Sequence, residues 1–227
     1  MKKFVLFSAL AMGLVAFAGT ASAVPVVDGV ITGTEWDSFI IAAGDPNEFN
    51  VNPLLNISDP WDISSLRVED EFGGDPSDDG LYFLMTTYAP PTFAGGPGSL
   101  PGEESLFVFA IDFDGDSALT STDDRIINFN EGGLGTVVIR DGSGAIVGGG
   151  AGALGSVIEV YAPATFLPLY LAPFPGAQGF AKLDNRGFEP DDFIPDQGFI
   201  GVIPEPGSML LLGFGMAAAG FRRFCRK

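Results

Sequence analysis

Carboxylates alternate along the phrase Asp112-Phe113-Asp114-Gly115-Asp116, and Thr120, Asp123 and Asp124 follow within a few residues. Acids two apart on a turn that leaves a strand can converge on one hard cation, and calcium takes about six to eight oxygens. The same spacing suits an acidic turn that is merely solvated. Asp112, Asp114, Asp116 and Asp123 are therefore the candidate metal ligands, and calcium is the expected cofactor. The acidic runs Glu69-Asp70-Glu71 and Asp75-Pro76-Ser77-Asp78-Asp79 read as solvated loops. Of the 2 tryptophans, Trp36 reads as core. Trp61, inside Asp59-Pro60-Trp61-Asp62, fits either core or a platform on which a sugar ring stacks, and it is the candidate ligand-binding residue.

Set beside an EF-hand loop, the acids at 112, 114 and 116 fall on positions one, three and five, and Asp123 on position twelve. Ser117 stands where that loop has glycine, Asp stands where it has a bidentate Glu, and no helix pattern flanks the segment. Other chemistry is scarce. Histidine is absent, which excludes Ser-His-Asp and Cys-His catalysis and the usual zinc sites. The single cysteine is Cys225, so no intramolecular disulfide forms. Carboxylates alone would permit glycoside hydrolysis by two acids about 5–10 Å apart. Any chain with 29 Asp and Glu holds such pairs by chance, and the chain is expected not to be an enzyme.

The elements around these residues read as strands. Leu81–Tyr88, Leu106–Ile111, Arg125–Phe129 and Ser156–Tyr161 are aromatic and β-branched runs bounded by turn residues. Thr136–Arg140, Asp141-Gly142 and Gly144–Val147 form a hairpin pattern. No window of the middle holds a helical period, and 32 Gly with 17 Pro would interrupt one. The fold class expected is all-β, a single antiparallel β-sandwich over 24–175. The glycine run 148–155 contains G-x-G-x-x-G, but a strand pattern follows it instead of the helix a dinucleotide needs, so it reads as a flexible loop. Residues 176–203 lose strand patterning and read as a Gly/Pro/Asp-rich linker.

Charge and hydropathy place the two ends. Residues 24–203 hold 28 of the 29 acids and 5 of the 11 Lys and Arg, a balance of 5 minus 28, or −23. Such a body repels phosphate backbones, which excludes nucleic-acid binding, and attracts cations or basic partners. Residues 1–23 begin with Lys2 and Lys3, continue through an apolar stretch, and end in Ala21-Ser22-Ala23. This is the pattern of a secretory signal helix. No charge interrupts Gly207–Phe221, and Arg222, Arg223, Arg226 and Lys227 close the chain. At about 1.5 Å per residue those fifteen positions span about 22 Å, short of a hydrocarbon core of roughly 30 Å, so flanking apolar residues are needed for a transmembrane helix. The basic end is held on the cytoplasmic side.

Pro204-Glu205-Pro206, an apolar segment containing Leu-Leu-Gly-Phe-Gly, and the Arg-rich terminus together resemble the PEP-CTERM sorting signal, which membrane proteases called exosortases read. The resemblance implies that Pro204, Glu205 and Pro206 are the recognition element and that Arg222 and Arg223 belong to the basic flank. It also implies an exosortase, the secretion machinery and the inner membrane as partners. A Gram-negative host follows, with transient anchoring in its inner membrane, then surface or extracellular location in a biofilm matrix. Cys225 within the basic cluster departs from the pattern. A second resemblance lies in the body. Asp28-Gly29 through Glu35-Trp36, Gly80–Tyr88, Phe107–Asp116 and Val157–Leu167 are similar, in order, to phrases of family 9 carbohydrate-binding modules and related DOMON-like sandwiches. That implies a β-sandwich opening on a strand at 27–36, with extracellular polysaccharide as partner. The expected function is an exported, non-catalytic surface or matrix protein. The alternatives are a secreted carboxylate-dependent glycoside hydrolase and a purely structural matrix or adhesion protein.

Overall fold

A computed structural model describes residues 24–33, 35–36, 41–46, 59–71, 78–94, 104–131, 133–168, 178–184, 192–195 and 198–201. The signal helix at 1–23 and the transmembrane helix within 204–227 lie outside the described residues. Among the described residues there is no α-helix, and no helix is long and apolar enough to cross a membrane.

Among the described residues, twelve strands form two antiparallel sheets. One runs in the order β1 (Ile41–Gly44), β2 (Ile63–Glu71), β3 (Gly80–Thr87), β9 (Ile158–Pro163), β8 (Ala151–Leu154). The other runs β11 (Asp192–Ile194), β10 (Gln178–Asp184), β4 (Leu106–Asp112), β5 (Arg125–Phe129), β6 (Val137–Asp141), β7 (Ile146–Gly149), with β12 (Ile200–Gly201) also paired to β10. Period-two alternation explains which faces meet. Leu66, Val68, Leu81, Phe83, Met85, Ile158, Val160 and Ala162 from the first sheet share one core with Phe107, Phe109, Ile111, Ile127, Phe129, Ile139, Ala181 and Leu183 from the second. Phe83 and Phe109 join the two layers at 5.2 Å between ring centroids. This is the arrangement of a β-sandwich.

Three stretches differ from the sequence reading. Where a linker was expected at 176–203, β10 lies between β4 on one side and β11 and β12 on the other. Gly179, Ala181 and Leu183 face inward while Gln178, Phe180, Lys182 and Asp184 are half-buried, an alternation concealed by small Gly179 and Ala181 on the inward face and by Phe180 on the outward one. The run Glu69-Asp70-Glu71 is the end of β2 rather than a loop, and Glu69 is buried. The glycine run 148–155 is two strands that turn from one sheet to the other at Gly150.

Close approach, not flexibility, explains those glycines. A Cβ on Gly150 would lie 2.0 Å from the Tyr161 carbonyl oxygen, and one on Gly152 would lie 2.6 Å from the Phe129 ring. Backbone cannot yield as a side-chain tip does. Gly150→Ala should therefore destabilise the protein by roughly 2–4 kcal/mol in urea denaturation. Gly201→Ala, where an added Cβ meets nothing within 4 Å, should change stability by less than about 0.5 kcal/mol. Equal effects from the two would show that the corner has slack.

Candidate functional site

β4 delivers the acid loop. Its last residue, Asp112, is fully buried, and the strand gives way there to a turn that leaves Asp114 and Asp116 exposed. One carboxylate oxygen from each of Asp112, Asp114 and Asp116 lies within 4.8 Å of the others. The backbone folds tightly enough for this because Gly115 and Ser117 both take the left-handed conformation, with φ of 72° and 66°. Ser117 thus adopts the geometry for which an EF-hand loop uses glycine, at a cost of about 1–2 kcal/mol for an L residue.

Hydrogen bonds hold that shape. Asp112 Oδ1 accepts from the Gly115 amide at 2.7 Å, and Oδ2 accepts from the Ser117 amide at 2.7 Å and from Gln178 Nε2 at 2.8 Å. Gln178 Nε2 also donates to Ser117 Oγ at 2.8 Å. Asp114 Oδ1 accepts from the Asp116 amide, and Asp116 Oδ1 from the Ala118 amide. Buried Asp124 closes the far side, its oxygens accepting from the amides of Phe113 and Ser121. Arg125 clamps the same segment by donating to the carbonyls of Thr122, Asp124 and Phe166.

The structure thus brings together three of the four acids singled out as ligands. Asp123 is exposed and stands apart from the trio, because Asp124 and not Asp123 turns inward. Gln178 was not singled out: its stretch reads as linker, and only the pairing of Gln178 with Asp112 across β10 and β4 reveals it. Trp61 ends a 3₁₀ turn at Asp59–Trp61, half-buried against the core, with its indole N–H donating to Ser105 Oγ at 3.0 Å and to the Ala94 carbonyl at 3.3 Å. Its polar edge points inward, so any stacking surface is what remains of the ring face.

A second polar centre sits on the outer face of the first sheet. Glu159 is fully buried there. One of its oxygens accepts from the amides of Asp28 at 2.9 Å and Gly29 at 2.7 Å, and the other accepts from the Trp36 indole at 3.0 Å. Arg67 donates to the Trp36 carbonyl at 2.8 Å. Trp36, Tyr82, Leu84 and Val157 pack together around this contact. Where an opening strand was expected at 27–36, the described residues 27–33 and 35–36 are not in a strand and lie as a strap over the sheet, since Glu159 takes amides that a ladder would use. Trp36 is core, as its sequence context suggested.

Ionisation differs between the two centres. Burial works upward on Asp112, but the donors Gln178, Gly115 and Ser117 outweigh it and hold its pKa below the ordinary carboxylate value. At Asp114 the Asp116 amide works downward, yet desolvation and the neighbouring carboxylates of Asp116, Asp112 and Asp124 carry it upward. Burial raises Glu159 despite its three donors.

Residues 202–227 match the PEP-CTERM protein-sorting motif. That span contains Pro204, Glu205, Pro206, Arg222 and Arg223, all outside the described residues. The motif marks an exported protein sorted by an exosortase, anchored transiently in the membrane at its C-terminus and later located at the surface or outside the cell. No curated protein and no solved structure matches the chain.

Two outcomes follow from the geometry. Glu159→Gln presents an NH₂ group either to two amides or to the indole N–H, and should cost roughly 2–4 kcal/mol in urea denaturation; a loss under about 0.5 kcal/mol would make the strap contact incidental. For Asp112 the folded pKa is depressed, so its contribution is present above the unfolded carboxylate pKa and is lost as pH falls through the folded one. Asp112→Asn should flatten the acid limb of the stability profile, and an unchanged limb would remove this assignment.

Proposed function

We propose that the exported domain is a non-catalytic surface or matrix module in a Gram-negative biofilm, whose acid loop holds calcium and whose partner is extracellular polysaccharide. The observation that carries the calcium reading is the convergence of Asp112, Asp114 and Asp116 within 4.8 Å on a loop whose backbone is already fixed. Asp112 would supply the buried ligand, Asp114 and Asp116 the exposed ones, and water the remaining oxygens. A cation there would favour the ionised form of Asp114 against the desolvation and the neighbouring carboxylates that raise it.

The non-catalytic reading is supported by how three of the buried acids are used. Glu159, Asp112 and Asp124 all spend their oxygens on amide, indole or side-chain donors that fix the fold. The polysaccharide reading draws on the second resemblance: its first phrase, through Asp28-Gly29 and Trp36, and its last, through Glu159, meet in one contact. Trp61 is the proposed stacking residue.

Calcium titrated calorimetrically into the purified exported protein should bind with a dissociation constant on the order of 0.1–1 mM. At about 10 mM calcium this stabilises by roughly 1.5–2.7 kcal/mol, or a few degrees in melting temperature. Asp114→Asn with Asp116→Asn should abolish both signals. No heat and no shift in the parent protein would remove the calcium reading. On a glycan array, binding that Trp61→Ala weakens about tenfold would support the polysaccharide partner, and an array without signal would leave a purely structural matrix protein.

A further inference from the structure

The sorting motif begins one residue after the sandwich ends. Gly201 is the last residue of β12 and pairs with Gln178, which in turn pairs with Asp112. Asp112, Gln178 and Gly201 therefore form one row across β4, β10 and β12, at the end of the sheet where the acid loop emerges. The motif starts at 202. From Gly201 to the first residue of the apolar run, Gly207, six residue steps reach about 20 Å when fully extended, and the headgroup zone takes up several ångströms of that. The sequence therefore leaves at most about 20 Å of chain between the end of β12 and the start of the apolar run.

The same row marks the pole of the body at which β12 ends. β4 and β5 bring Ile111 opposite Arg125 at this pole and Phe107 opposite Phe129 at the other. The loop 112–124 and the turn after Asp141, whose Gly142 amide donates to the Ser121 carbonyl, share the near pole. Leu134, 62% exposed, lies in the β5–β6 connection at the far pole. Asp114, Asp116 and Asp123 are exposed at the near pole, while Arg125 is buried and spent on carbonyls, and Arg140, which donates to the Gly144 carbonyl in the turn, is paired with Glu131.

From this geometry we infer that the near pole, formed by loop 112–124 and the ends of β4, β10 and β12, is the face against which the exosortase docks while it reads the motif. The inference rests on the sorting reading. An enzyme that grips residues 204–206 stands within about three residues of Gly201, so it cannot avoid the folded body. Acids at that pole fit a basic surface on the enzyme, and such charges act mainly on the rate of encounter.

The test uses the full chain in a host that carries an exosortase, with chelator present so that charge alone is read. Conversion of the parent chain to a shorter product, and its loss in Glu205→Gln, establish the sorting reading; absence of conversion in the parent overturns that reading and this one with it. Given conversion, Asp114→Asn with Asp116→Asn should slow it roughly three- to tenfold at low salt without lowering the melting temperature. Ten Gly and Ser residues inserted between Gly201 and Val202 should shrink the effect of the same pair to less than about twofold. A photoreactive residue replacing exposed Thr120 should crosslink to the enzyme, and one replacing Leu134 should not. Equal conversion by the double variant and the parent, or crosslinking at 134 but not at 120, would overturn the docking face even with sorting intact.

Discussion

The carboxylate of Glu159 decides how this chain closes its first sheet. An ionised acid taken out of water costs several kcal/mol unless donors surround it. Here two amides from the strap and one indole do so, within a patch built by Trp36, Tyr82, Leu84 and Val157. Desolvation still wins, because the net shift of its pKa is upward. The sign matters: a raised folded pKa means that the contribution is complete below the unfolded carboxylate value and is lost as pH rises through the folded one. The contact therefore specifies where the strap lies more than it stabilises the fold. An apolar residue at 159 would leave the Asp28 and Gly29 amides and the indole without acceptors.

That placement has a consequence for the layer beneath. Outward Arg67, Leu84 and Glu159 are neighbours across β2, β3 and β9, in register. With the strap above them, the alternate residues Leu66, Phe83 and Ile158 are committed to the inner core. A slip of one residue would exchange Glu159 for Ile158 and put a carboxylate among the phenylalanines. The polar centre on the outer face and the apolar centre inside thus enforce one register from opposite sides.

Period-two runs made most of the strands legible. Leu106–Ile111 and Arg125–Phe129 alternate large apolar residues with little ambiguity, and the structure places β4 and β5 on them. β2 was hidden because its inward Leu66 and Val68 are separated by Arg67 and followed by three acids. β10 was hidden because its inward residues include Gly179 and Ala181, which carry almost no hydrophobic signal yet suit a strand pressed against neighbours: a Cβ on Gly179 would meet the Ala110 carbonyl at 2.9 Å. Within the acid loop, the alternation at 112, 114 and 116 was readable from spacing alone. Whether Asp123 or Asp124 turns inward depends on the amides of Phe113 and Ser121, which no spacing rule supplies. The tail was the most legible segment, because a sorting motif is defined by the order of its residues, which the sequence prints directly.

The position of β10 changes what that tail is attached to. Had residues 176–203 been a loose tether of 28 residues, the body would drift by roughly 5–6 Å times the square root of the length, about 30 Å, and its orientation toward the bilayer would be free. Integrated as three strands, the segment instead hands the chain over at a fixed point of the sheet, beside Gln178 and the buried carboxylate of Asp112. A cation on the acid loop and a grip on the tail would then act on opposite ends of one hydrogen-bonded row. Gln178 is the joint, since its side chain holds Asp112 and Ser117 while its backbone position pairs with Gly201. The acid loop and the last described residue before the address are for that reason parts of a single hydrogen-bonded unit.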